Sequence, residues 1–311
     1  MTPTDVGLFA RFGLYIGIGV FASVANILIL VVLWSKKEMR TTLVLFQALA
    51  IADLVNGISY IISGASRRVS LVSGIFHDFI HPSDCIRAVY PSVLMLGGLL
   101  PSFTNFMLAL ERLIAIRYIT FYKRHCNLSG KITIALIGFV GAIAVWIVGM
   151  IKMHNKETVL YSRMCDILKA SGQTYGIIHY ALVSFLFVTS FVLLFIVVMM
   201  TNQKKASRAL KEDSKRNFVL FMITGCSVLF VATPNVILVL QDMDKLHLSD
   251  LTVGAFYCLY GISSSVNFFL YIAFRRDFRV RFCQLFAGKC SSRLSMNAVA
   301  TTTVQSAFHS R

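Results

Sequence analysis

Charge is scarce in this chain. Asp, Glu, Lys and Arg together make up 14% of its 311 residues, against about 25% in an ordinary soluble domain. So few charges cannot clothe a water-soluble globule of this length. Long polar segments are scarce too: no loop between apolar runs exceeds about 25 residues, which leaves no room for a soluble domain of typical size. Residues 1–10 hold no cluster of positive charge, and this excludes the pattern of a cleavable signal peptide. Internal repeats are absent, and the two halves do not mirror one another in spacing, which weakens a transporter of inverted repeats. Metal-ligand clusters and nucleophile–base pairings are missing as well, so the sequence offers no enzyme chemistry.

What is present is apolar. Hydrophobic residues make up 57% of the chain and gather in seven long runs, at 12–34, 43–63, 89–116, 132–151, 174–200, 218–240 and 251–274. Each is about the length that a helix needs to cross ~30 Å of hydrocarbon at ~1.5 Å per residue. The sequence therefore predicts an all-α membrane protein, a seven-transmembrane helix bundle in a lipid bilayer. The expected division is an extracellular N-terminus at 1–11, the bundle at 12–274, an amphipathic membrane-surface helix at 275–290 and a disordered cytoplasmic tail at 291–311. The eighth helix is read from Phe274, Phe278, Phe282 and Leu285, which recur every three or four residues with Arg275, Arg276, Arg279 and Arg281 between them. Such a helix lies on the inner leaflet. Cys283 and Cys290 are candidates for palmitoylation there; unmodified thiols are the alternative.

The net charge of +16 would suit nucleic acid, but its distribution argues against that partner. Of the 30 Lys and Arg, 21 fall in the loops at 35–42, 117–131 and 201–217, at Arg112 and in the C-terminal tail. The other nine fall in the N-terminus and the alternate loops, which also carry eight of the 14 acids. Positive loops stay in the cytoplasm. The expected topology is multi-pass in the plasma membrane, N-terminus extracellular and C-terminus cytoplasmic. Of seven cysteines, only Cys85 and Cys165 then fall in outer segments, where thiols oxidise. They are the candidate disulfide, and two free thiols are the alternative.

Polar groups inside the apolar runs need a reason, because an ionisable group in hydrocarbon costs about 2.5–3.5 kcal/mol or more. Asp53 lies in mid-span, Asn26 halfway along the first run, and Asn267 in the seventh, after Ser263 and Ser264. These are expected to meet as a coupled polar cluster, hydrated or holding a cation such as sodium; simple interhelical hydrogen bonding is the alternative. Glu111 and Arg112 end the third run. Arg112 can pair with Glu111 or with an acid on a neighbouring helix, Glu212 and Asp213 being within reach, as a latch that opens when helices separate. Snorkelling to the interface is the alternative. Pro101 and Pro234 each remove a backbone hydrogen bond deep in a span and bend it.

These features, taken in order, resemble the rhodopsin-like family of G-protein-coupled receptors over nearly the full length. Ala25-Asn26 is similar to the family's first-helix Gly-Asn, and Leu49-Ala-Ile-Ala-Asp53 to its Leu-x-x-x-Asp. Cys85 and Cys165 match its disulfide partners, Leu110-Glu-Arg-Leu113 its Asp/Glu-Arg-Tyr motif, and Trp146 its fourth-helix tryptophan. Phe230-Val-Ala-Thr-Pro234 falls where the family has Cys-Trp-x-Pro, and Asn267-Phe-Phe-Leu-Tyr271 where it has Asn-Pro-x-x-Tyr. Ala232 stands in place of the toggle tryptophan, and Phe268 in place of the seventh-helix proline. The compact chain looks most like nematode serpentine chemosensory receptors. The resemblance implies a heterotrimeric G protein as partner, docking against Glu111, Arg112, Lys204, Lys205, Arg208, Lys215 and Arg216. It also implies an activation network through Asn26, Asp53, Ser263, Asn267, Tyr271 and Pro234.

The outer part of the third run has no acid, and Leu94 stands near the site of the salt-bridging Asp of amine receptors. A monoamine ligand is not expected. Tyr90, Leu94, Met95, Tyr175, His179, Gln241, Phe256, Tyr257 and Tyr260 are the candidate ligand residues. They suit a small, mostly uncharged molecule or part of a peptide. The expected function is a chemosensory receptor for an extracellular small molecule. The alternatives are a neuropeptide-type receptor and, in a different class, a small-molecule transporter or channel.

Overall fold

The computed structural model describes residues 3–155, 159, 163–203, 208–243, 245–248 and 250–286. Among them the seven apolar runs are helices: α1 Pro3–Trp34, α2 Val44–Val72, α3 Tyr90–Arg117, α4 Leu128–His154 and α5 Gln173–Gln203, then α6 and α7. Helix α6 consists of Arg208–Ser227 and Thr233–Asp242 joined by a π-helical turn at Val228–Ala232, and α7 is Asp250–Phe274. The amphipathic helix follows as α8, Arg276–Phe286. Short helices at Lys37–Thr42, Pro82–Arg87, Ile119–His125 and Ile167–Ser171 lie in the connections. All seven long helices are long and apolar enough to cross a membrane.

Several helices run past the apolar runs that mark them, α1 and α2 among them. Residues 3–11 continue α1 instead of forming a separate N-terminal segment. Pro3 suits the first helical turn, where its missing N–H costs nothing, and Asp5 complements the positive end of the helix dipole. Helix α2 runs nine residues past the expected end at 63, to Val72. Its second half reads as polar because its polar side chains face protein and not lipid. Ser63 and Arg67 are buried, and a side chain on Gly64 would collide with the Phe12 carbonyl oxygen at 2.7 Å.

The two mid-span prolines sit in different helical surroundings. Pro101 sits inside an unbroken α3. Ahead of Pro234 the backbone widens into the π-helical turn, which accommodates the ring and the lost N–H. Thr233 Oγ1 donates to the Val228 carbonyl at 3.1 Å across that turn.

Packing is closest between α1 and α2, where Gly19, Gly57 and Gly64 let the backbones approach. A Cβ on Gly57 would lie 2.7 Å from Ser23 Oγ. Small residues serve this purpose in membranes because hydrocarbon gives helices no hydrophobic reason to associate. Trp146 Nε1 donates to the Ser92 carbonyl at 2.9 Å and ties α4 to α3. Elsewhere α4 turns Leu136, Val140 and Val148 outward, as a lipid-facing helix does. Two apolar clusters fill the bundle, one around Tyr15, Tyr60, Met95 and Tyr175, the other around Ile29, Phe46, Leu108 and Tyr271. The polar mid-span residues lie between them. Helix α8 is pinned by Phe278, which is fully buried against Tyr271 and Phe268, and by Arg281, whose Nε donates to Ser35 Oγ at 2.7 Å. Cys283 is half-buried on this helix, and Cys290 lies outside the described residues.

Replacing Gly64 by Val should force α1 and α2 apart and lower stability by about 1–3 kcal/mol, the usual cost of overpacking. Thermal unfolding of the purified protein checks this.

Candidate functional site

Three polar assemblies interrupt the apolar packing. The first closes the end of α3. Glu111 and Arg112 are 1% and 4% exposed, so Arg112 does not snorkel. Its Nη2 donates to Glu111 Oε1 at 2.7 Å, and its Nε lies 2.5 Å from Oε2. The Tyr122 hydroxyl, from the short helix after α3, donates to the same Oε1. Burial, then the adjoining Glu111 carboxylate, holds the Tyr122 phenol protonated well above its ordinary range. A hydroxyl that keeps its proton remains a donor to Glu111. The same two causes raise the Cys126 thiol. Arg216 lies within electrostatic reach of Tyr122, which brings α6 to this end. Asn217 Nδ2 donates to Thr201 Oγ1 at 3.3 Å and joins α6 to α5. Lys204 and Lys205 lie outside the described residues, as do the side chains of Arg208, Glu212, Asp213 and Lys215.

The second assembly lies in mid-bundle. Asn267 Nδ2 donates to Asp53 Oδ2 at 2.6 Å and joins α7 to α2. Asn56 Nδ2 donates to Ser264 Oγ at 2.7 Å, one turn along the same helix pair. Asn26 belongs to this network but not at Asp53. Its Nδ2 donates to the carbonyls of Ala22 and Ser264, both at 2.9 Å. Ser263 Oγ reaches Ser227 of α6 at 3.5 Å, and Thr224 Oγ1 donates to Asn105 of α3 at 3.1 Å. Beside Asp53 is a cavity lined by Asn56, Asn105, Ser227, Ser263, Ser264 and Asn267. It offers about 20 Å³ to the centre of a water-sized occupant, where about 10–15 Å³ suffices for one water. Gly97, Gly98, Val231 and Tyr260 line it as well.

The third assembly lies at the opposite end of the bundle. Cys85 and Cys165 form a disulfide, which settles the choice left open by the sequence. It holds residues 163–166 against α2, α3 and α7, through Met164, Arg163 and Asp166. Asp166 follows at once. Its Oδ1 accepts from the Tyr257 hydroxyl at 2.8 Å, and Tyr257 meets the Tyr180 hydroxyl at 3.0 Å. Tyr60 donates to the Tyr257 carbonyl at 2.6 Å. Strands of contact thus run from α2, α5 and α7 to one loop residue.

The candidate ligand residues divide. Tyr257, Tyr260 and His179 cluster with this end: Tyr260 donates to Asn235 Oδ1, and His179 packs edge-on to Tyr180. Tyr90 and Tyr175 direct their hydroxyls to the backbone carbonyls of Arg163 and Val145. Met95 packs with Tyr175 over Gly149 of α4. These three therefore brace helices. Leu94, Gln241 and Phe256 are half-buried.

The 7 transmembrane receptor (rhodopsin family) model matches residues 25–271. This chain belongs to the rhodopsin family of seven-transmembrane receptors. It is a multi-pass membrane receptor and not an enzyme. None of the curated proteins compared with it matches. The receptor departs from its family's pattern at Ala232 of α6 and Phe268 of α7. Ala232 is buried and its carbonyl accepts from Ser184 Oγ at 3.3 Å, so a backbone contact between α5 and α6 occupies the tryptophan position. Phe268 packs edge-on to Phe278 and Phe282 of α8, so an aromatic contact stands where the proline would be.

Sequence reasoning missed Tyr60, Arg67, Asn105, Tyr122, Tyr180, Asn235 and Asp166. A signal existed for two of them. Tyr60, Ser63 and Arg67 recur at three and four residues, one face of a helix, and the early end assigned to α2 left Arg67 off it. Nothing local marks Tyr122 or Asp166, whose partners lie in other elements.

Asn267→Ala should leave the buried Asp53 carboxylate without this donor. Thermal unfolding should show a loss of about 1–3 kcal/mol, the cost of leaving a buried polar group unsatisfied.

Proposed function

We propose that this receptor binds an extracellular small molecule, in the manner of a chemosensory receptor, and activates a heterotrimeric G protein. The disulfide end faces out and the Arg112 end faces the cytoplasm. This orientation is supported by the concentration of Lys and Arg in the loops of the Arg112 end and by the oxidising conditions a disulfide needs.

The observation that carries the reading is the buried Glu111–Arg112–Tyr122 cluster. An arginine almost wholly removed from solvent, tied to a carboxylate that a tyrosine also holds, is a closed state with a defined release. When α6 moves outward at this end, Arg112 becomes available to a protein partner. A ligand favours that movement only by binding the open state more tightly than the closed one. Pro234 and the π-helical turn before it supply the hinge in α6.

Asp53 is the relay between the two ends. Its carboxylate, with the Ser263 and Ser264 hydroxyls, makes an oxygen-rich wall suited to a hard monovalent cation such as sodium, and the cavity beside it has room for a small occupant. Asn105 Nδ2 has no hydrogen-bond partner; a donor suits a water next to that cation. A cation there would neutralise Asp53 and hold α2, α3 and α7 in the closed arrangement. At α8, a palmitoyl chain on Cys283 would add to the anchoring by phenylalanines and arginines.

A transporter needs several polar groups along a path. Among the described mid-span residues Asp53 is the ionisable one, which favours the receptor reading.

Arg112→Ala should abolish ligand-stimulated nucleotide exchange on a promiscuous G protein while surface expression stays near the wild-type level. Unchanged exchange in this variant refutes the mechanism. Asp53→Asn should reduce signalling more than expression, and sodium should stabilise the wild-type protein but not this variant in thermal unfolding. Equal stabilisation of both removes the cation from the account.

A further inference from the structure

Arg67 is a buried charge without a counter-charge. It lies near the disulfide end of α2 and is 4% exposed. Its Nε donates to the Met164 carbonyl at 3.0 Å. Its guanidinium carbon is 5.8 Å from the Phe12 ring centre and 5.2 Å from that of Tyr90. None of these neighbours is an anion. Among the described residues no carboxylate is within ion-pair distance of Arg67. Ring faces and one carbonyl offset part of the cost of burying an arginine, but a charge taken out of water ordinarily requires an opposite one.

The surroundings bias the site further. Arg163 brings a second positive charge to the same loop, and its Nε is buried with no hydrogen-bond partner. Asp166, the acid of this loop among the described residues, is engaged by the Tyr257 hydroxyl. The Tyr180 hydroxyl is within electrostatic reach of both Asp166 and Arg67, so the two charges stand around one tyrosine head without pairing. This is a buried positive centre beside the rings of Phe12 and Tyr90.

We propose that Arg67 anchors a ligand bearing a single negative charge, a small organic carboxylate with an aromatic or aliphatic body. The inference rests on the receptor reading above and names the ligand class for it. It replaces the expectation of a mostly uncharged ligand, which followed from the aromatic and neutral polar candidate residues. A planar carboxylate fits the guanidinium fork with two parallel hydrogen bonds. A monoanion balances the buried charge. The rings of Phe12 and Tyr90 suit an apolar body.

The test is thermal unfolding of the purified full chain in lipid nanodiscs. The probes run from acetate through hexanoate and benzoate to indole-3-acetate, each paired with its primary amide. At least one acid should raise the unfolding temperature, and its amide should bind about 10- to 100-fold more weakly, the worth of a charge-assisted hydrogen bond. Arg67→Gln should remove the response to the acid, and Arg67→Lys should keep part of it. The proposal is overturned if acid and amide stabilise equally, if Arg67→Gln responds as wild type, or if no acid in the panel has an effect. Should Arg67→Gln fail to fold by circular dichroism, the acid–amide comparison and Arg67→Lys still decide. Binding is read without a G protein, so failure here is distinct from failure of the coupling mechanism.

Discussion

The hydrocarbon layer is the constraint from which the rest follows. It offers no water to backbone N–H and C=O groups, so each crossing segment must satisfy its own. That requirement makes the seven apolar runs helices and sets their minimum length. It also decides where polar side chains go. Facing lipid they would be unpaired, so they turn inward and find one another. The buried assemblies around Arg112, Asp53 and Asp166 follow from that pressure, and so does the placement of Arg67.

Because these groups pair between helices, they also couple helices. Asp53 and Asn267 join α2 to α7, Asn105 and Thr224 join α3 to α6, and Asp166 ties a loop to α7, whose Tyr257 in turn meets Tyr180 of α5. A shift at one end of the bundle therefore has to be accommodated at the next polar layer. The two apolar clusters between the layers are close-packed and do not deform gradually. A structure of this kind favours a small number of discrete arrangements, which is what a receptor needs.

Much of the fold was legible in the sequence. Span number and the eighth helix came from hydropathy and periodicity, and the disulfide pair from the charge-based topology, which left only Cys85 and Cys165 in outer segments. The ends of α1 and α2 were not legible, because hydropathy measures fitness for lipid, and those segments are helices whose polar residues face protein. The Asp53 layer was legible in outline, since a carboxylate in mid-span is conspicuous. Its wiring was not: Asn26 bonds a backbone carbonyl of α7, a partner no side-chain inventory reveals. At the disulfide end the notable tyrosines were visible, but their roles depended on direction. Tyr90 and Tyr175 look inward in sequence and brace backbone in the structure. Arg67 was misread for one reason only, the position at which α2 was taken to end.

The central claim is a bundle that crosses the membrane seven times with its disulfide end outward. The most direct measurement places an epitope tag at each chain end and stains cells before and after permeabilisation. The account predicts staining of the N-terminal tag in intact cells and of the C-terminal tag only after permeabilisation. Detection of both tags on one face of the membrane would contradict it.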